Sequence, residues 1–151
     1  MKKIQAAALV GILGFSGNAM AAGGNNHAAV FAGVTGSDGN NETTVGVEYE
    51  YRTNLYQDMI GVGAAFENIM SDPSATVIVA GLVIHPGYDL KVNLMYGQES
   101  VSGHTANVTR IGIGYDYHVP NTSYSVGVAY NRDDIEGHGV NVMGVAVGMG
   151  F

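Results

Sequence analysis

Residues 107–118 read NVTRIGIGYDYH and alternate with period two. One side of that alternation carries Thr109, Ile111, Ile113, Tyr115 and Tyr117; the other carries Arg110, Gly112, Gly114, Asp116 and His118. A strand presents successive side chains to opposite faces, so the bulky apolar groups share one face and the charges share the other with glycine. A water-soluble sandwich or carrier barrel needs the reverse, with large apolar groups inside and charges in water. Glycine among charges makes poor core filling, and the question is what solvent the bulky face meets.

The same inverted pattern recurs along the chain. Thr43 to Arg52 sets Val45, Val47, Tyr49 and Tyr51 against Gly46, Glu48, Glu50 and Arg52; Asp58 to Glu67 sets Ile60, Val62, Ala64 and Phe66 against glycine, Ala65 and Glu67. Leu90 to Glu99 sets Leu90, Val92, Leu94 and Tyr96 against Lys91, Asn93, Met95, Gly97 and Glu99. Ser123 to Arg132 puts Tyr124, Val126, Val128 and Tyr130 on the bulky side. Asn141 to Phe151 does the same with Met143, Val145, Val147, Met149 and Phe151. Two further segments are less clear. His27 to Thr35 gives Val30, Ala32 and Val34 as its outer set although Phe31 breaks the alternation, and Thr76 to His85 is apolar on both sides. In the latter, Ile78, Ala80, Leu82 and Ile84 are placed outward because that turns His85 inward.

Short stretches of Gly, Pro, Asn and Asp separate the eight segments: 36–42, 71–75, 100–104 and 133–139 in one set, and 54–57, 86–89 and 119–122 in the other. Such residues reverse a strand, and reversal at short range throughout makes an antiparallel meander. Against hydrocarbon the inverted faces become consistent. Backbone polar groups inside a bilayer must pair, so strands cross one only as a closed barrel, with segments of about ten residues. The predicted fold is all-β, an eight-stranded antiparallel up-and-down transmembrane β-barrel. Eight strands leave a bore that side chains can fill, and glycine and alanine keep it from overfilling. Tyr49, Tyr51, Tyr96, Tyr115, Tyr117, Tyr124 and Tyr130 fall on the outward set and suit the headgroup level.

The first residues, MKKIQAAALVGILGFSGNAMAAGG, combine Lys2 and Lys3, an apolar run and the small-x-small pattern Ala19-Met20-Ala21. They predict an export signal over 1–21, cleaved after Ala21 or Ala22, with the barrel domain spanning 22–151. Removing Lys2 and Lys3 leaves four basic side chains against thirteen acidic ones, a balance that disfavours nucleic acid as a partner. The chain has no cysteine, which excludes disulfides and thiolate chemistry.

The final strand with its aromatic Phe151, the signal and the eight inverted strands resemble the small outer-membrane β-barrel proteins of Gram-negative bacteria, the class that holds the transmembrane part of outer membrane protein A and its eight-stranded relatives. The resemblance implies a bacterial outer-membrane location with both termini periplasmic, and contact with outer-membrane lipid and lipopolysaccharide. It also implies delivery by periplasmic chaperones to the barrel-assembly machinery, which would read Met143, Val145, Val147, Met149 and Phe151. No peptidoglycan-binding domain is expected after Phe151, and the expected outer loops are short, so the cell-wall and adhesive roles of larger members are not implied.

Pairing of the inner charges follows from the hairpin around Gly103 and His104, which brings Glu99 near Arg110 and Lys91 near Asp116. These read as neutralisation of an enclosed interior. Glu48, Glu50, Arg52, Glu67 and His85 are further lumen charges, with Arg52 a partner for Glu50. The acidic run Asp133, Asp134 and Glu136 reads as a solvated loop. No metal-binding or phosphate-loop motif is present, and no cofactor is expected. Ser100 and Ser102 with His104 are the grouping that invites comparison with membrane-embedded lipid-modifying enzymes, but a reversal has that composition anyway. The expectation is a non-enzymatic barrel with an envelope role or a narrow pore; a soluble barrel binding a small apolar ligand and a lipid-modifying enzyme are the alternatives.

Overall fold

A computed structural model describes residues 24–37, 39–53, 55–57, 59–87 and 89–151; the expected signal over 1–21 lies outside them. Eight strands follow one another: β1 (Asn26–Ser37), β2 (Asn40–Arg52), β3 (Ile60–Ile69), β4 (Ala75–Gly87), β5 (Leu90–Val101), β6 (His104–His118), β7 (Tyr124–Ile135) and β8 (His138–Gly150). Each pairs antiparallel with the next, and β8 pairs with β1 to close the barrel. Closure leaves no edge strand, so the whole ladder is paired within the wall.

The ladder is staggered. Stepping from Asn26 through Tyr51, Val62, Leu82, Leu94, Ile111, Arg132 and Asn141 returns to β1 at Gly36, ten residues above the start. A stagger of that size tilts the strands by about 35–45° to the barrel axis.

Both faces are those the alternation predicts. Val62, Phe66, Ile78, Leu82, Leu94, Ile111, Ile113, Val126 and Val128 are exposed on the outer wall, as are all seven named tyrosines. Tyr49, Tyr51, Tyr115, Tyr117 and Tyr124 gather toward the end that holds the termini, while Tyr96 and Tyr130 lie higher. Above this apolar belt β2 to β8 turn polar on the outside, with Asn41, Thr43, Asn68, Thr76, Gln98, Asn107, Thr109, Asp134 and Asn141. Four outward apolar positions per strand, tilted, match a band about 25 Å tall. The chain is an eight-stranded transmembrane β-barrel of the outer-membrane type.

β4 faces as expected, with Val77, Val79 and Val83 inside. The break at Phe31 is also explained. Its ring is fully buried in the lumen, over Gly33 and Gly144, where any side chain would collide with it.

Strand ends differ from the sequence reading. The strands run to 15 residues, and three of the four connections at the end away from the termini are two residues long, at 38–39, 102–103 and 136–137. Ser102-Gly103 and Glu136-Gly137 take positive φ at both positions, the mirror-type turn whose twist suits a hairpin. Residues read as loop, Asp133 and Asp134 among them, therefore belong to strand.

Candidate functional site

The lumen is the candidate site. Its side chains come from the inward positions of all eight strands, and cross-lumen bonds hold opposite walls together in layers.

Nearest the termini, Glu50 on β2 receives His85 Nε2 at 2.5 Å from β4 and lies 3.4 Å from Arg52 Nε. His27 Nε2 and Ser125 Oγ bridge β1 and β7 at 2.9 Å, and the space they use is kept open by Gly148. Lys91 on β5 sits between two carboxylates: its Nζ donates to Glu48 Oε2 at 3.3 Å across the bore and lies 3.3 Å from Asp116 Oδ2 on β6. Three strand steps separate β5 from β2, so the Lys91–Glu48 contact crosses the bore rather than joining neighbours.

Higher up, Asn93 Nδ2 donates to Asn131 Oδ1 at 3.1 Å, with Asn131 directly beside Val142 of the cluster that also holds Phe31 and Ala146. A methyl at Gly112 would run into both amides, which is why the inner face of β6 is bare there. Above them lies the strongest cluster. Arg110 donates from Nη1 and Nη2 to the two oxygens of Glu67 at 2.5 and 2.8 Å, and from Nε and Nη2 to Asp133 at 2.7 Å each. Arg110, Glu67 and Asp133 are each 1 % exposed. A planar guanidinium gripped by two carboxylates in fork geometry is the arrangement in which a buried charge is best compensated. Around it Ala65, Ile69, Ala75, Val77, Val79 and Val108 form an apolar collar, so charge and hydrocarbon together fill the bore.

The expected Glu99–Arg110 pair is not formed. The tight Ser102-Gly103 turn sets Met95 opposite Arg110 and Glu99 opposite Ala106, and Arg110 turns instead to Asp133, its direct neighbour on β7, and to Glu67. Glu99 faces the mouth. The expected Lys91–Asp116 proximity is present at 3.3 Å. Asp133 corrects the reading of 133–136 as solvated loop: it is an inward strand residue, whereas Asp134 faces out and accepts the Gly137 N–H at 2.9 Å. Continuing the β7 alternation past Asn131, with Glu136-Gly137 as the turn, was the signal available in the sequence.

At the end away from the termini the bore widens into a bowl of about 620 Å³ whose wall includes Glu42, Glu99, Glu136 and His138, with Ile69, Val101 and Val140 between them and Asp72-Pro73 of the β3–β4 connection at its rim. Toward the termini the free space is about 20 Å³, bounded by Glu48, Glu50, Lys91, Asn93, Met95 and Arg110. Ser100, Ser102 and His104 are exposed at the β5–β6 turn, and among the described residues no hydrogen bond joins them. No group of three metal-ligating side chains converges among the described residues.

The outward row of β8, Met143, Val145, Val147, Met149 and Phe151, lies along the seam with β1, and Phe151 extends that seam by exchanging backbone hydrogen bonds with Asn26 at 2.9 and 3.1 Å.

No protein-family profile matches the sequence, and no curated protein does. Solved structures do match in fold. Neisserial surface protein A superposes with a TM-score of 0.60 at 14 % identity, over 83 % of this chain and 96 % of that one. Ail, the attachment invasion locus protein of Yersinia pestis, gives 0.56 at 14 % over 84 % and 99 %, and the outer membrane enzyme PagL gives 0.56 at 14 % over 83 % and 99 %. At such identity the likeness is one of fold, and that fold carries an enzyme as well as surface proteins.

Proposed function

We propose that this chain is a non-enzymatic, non-conducting barrel of the bacterial outer membrane, contributing to the envelope as an inserted structural element rather than as a pore. The observation that carries this reading is the Arg110 cluster. A guanidinium held by Glu67 from one wall and Asp133 from the other, inside an apolar collar, lies across the bore at its upper third. Below it Phe31 and the Lys91–Glu48 bridge obstruct the path again. Passing an ion would require separating buried charges that have no water to receive them, at a cost of several kcal/mol each.

Orientation follows the fold. Both termini share one end, which is placed in the periplasm, and the hairpin end with its acidic bowl then faces outward. The outer wall meets lipid and lipopolysaccharide, and the exposed β8 row is the stretch that the assembly machinery would read.

Conductance of the refolded barrel in planar bilayers tests the reading. No discrete openings are expected with the native sequence; steady channels would overturn it. Lipid A of unchanged composition in cells expressing the chain, with and without His104→Ala, tests the non-enzymatic part.

A further inference from the structure

Among the described residues four side chains are Lys or Arg, and three of them, Arg52, Lys91 and Arg110, point into the lumen and are ion-paired. The fourth, Arg132, points outward from β7 and is exposed. Its ladder neighbours are Ile111 on one side and Asn141 on the other. Outward neighbours one step lower are apolar or amphipathic: Tyr130, Met143 and Val34. One step higher stand Thr109 and Asp134. Arg132 therefore occupies the line where the apolar belt gives way to the polar collar.

The guanidinium is also held in place. Nη1 donates to Asn141 Oδ1 at 2.9 Å, and the Tyr130 hydroxyl donates to that same oxygen at 2.8 Å. The rest of the group lies over Gly139, where any side chain would collide with it. Among the described residues no carboxylate forms an ion pair with Arg132: Asp134, one outward position further along its own strand, accepts the Gly137 N–H. Nε and Nη2 are thus left as a pair of donors over Gly139, on the mouth side of Asn141, with exposed Met143 one outward position below Asn141 and bare Gly36 next across the seam.

We propose that Arg132, oriented by Asn141 and Tyr130, binds the phosphate of a lipid in the surrounding leaflet, the acyl chains lying over Met143, Val34 and Val145. A guanidinium matches phosphate with two parallel N–H bonds, and at the hydrocarbon edge such a bond is stronger than in water. Elsewhere the chain is acidic, with Asp and Glu outnumbering Lys and Arg thirteen to six, so general electrostatics would repel an anionic lipid. Attraction has to come from one place. The inference rests on the proposed membrane reading, with the outer leaflet at the hairpin end.

Native mass spectrometry of the refolded barrel, released from detergent with bisphosphorylated lipid A as the probe, tests it. Retained lipid should fall about tenfold in Arg132→Gln, as expected for loss of one charge-assisted contact. Asn141→Ala, which removes only the tether, should fall by less. Both sites face outward, so heat-dependent gel mobility should be unchanged and certifies folding. Equal retention by Arg132→Gln, or equal retention of dephosphorylated lipid A by the native barrel, would overturn the proposal; displacement by the same concentration of inorganic phosphate would do so as well, by assigning the site to the free ion. Thiol labelling of Ser102→Cys in intact cells reads the orientation separately. A thiol reached only from the periplasm would overturn the outward placement of the hairpin end, while binding in micelles would still stand or fall on Arg132.

Discussion

The bore and the mouth above it are built from the same residue types, yet they treat charge in opposite ways. Within the belt every inward carboxylate has a basic neighbour: Glu48 and Asp116 share Lys91, Glu67 and Asp133 share Arg110, and Glu50 has Arg52 and His85. In the bowl Glu42, Glu99 and Glu136 form no ion pair among the described residues. The difference is water. A carboxylate in an open bowl keeps its hydration, whereas one between packed walls loses it and needs a cation held by hydrogen bonds.

Five substitutions probe that contrast. The largest effect is expected from Arg110→Ala, which imposes the mouth's unpaired state on a dry layer by stranding Glu67 and Asp133; about 3–5 kcal/mol should be lost, read from urea unfolding in lipid vesicles. Ile113→Arg, in the middle of the outer belt, should cost about 2–4 kcal/mol in the same assay, whereas Asn107→Arg in the polar collar of the same strand should cost about 0–1. Equal costs would mean that the bilayer does not end where the outer wall turns polar. Gly112→Ala places a methyl against the Asn93 and Asn131 amides and should cost about 1–3 kcal/mol through overpacking. Smallest is Glu99→Gln, which removes a half-buried, unpaired charge near Asp133 and should shift stability by no more than about 0.5 kcal/mol, toward gain rather than loss. A larger loss would show that Glu99 is paired after all.

The barrel itself was legible because its signal is local and repeated. Period-two alternation with glycine and charge on one face appears strand after strand, and Lys91, Glu48, Glu50, Arg52, Glu67, Arg110 and Asp116 all lie on the inner face it assigns. Partner choice was not legible. Glu99 and Arg110 are close in sequence across a hairpin, but the turn at Ser102-Gly103 moves the register so that they miss. Glu67 reaches Arg110 from a strand 43 positions away, a distance no hairpin argument covers. Arg132 shows the same limit on the outside: alternation assigns its face, while its neighbours across the β8–β1 seam exist only once the barrel closes.

By itself the sequence determined that eight strands alternate, which face of each carries the bulk, and that this face meets hydrocarbon, because strand periodicity turns composition directly into facing. Only the tertiary structure decided which charge meets which. Closure and a ten-residue stagger bring distant strands to one level, and a buried ion pair depends on that level to within an ångström, which spacing along the chain does not set.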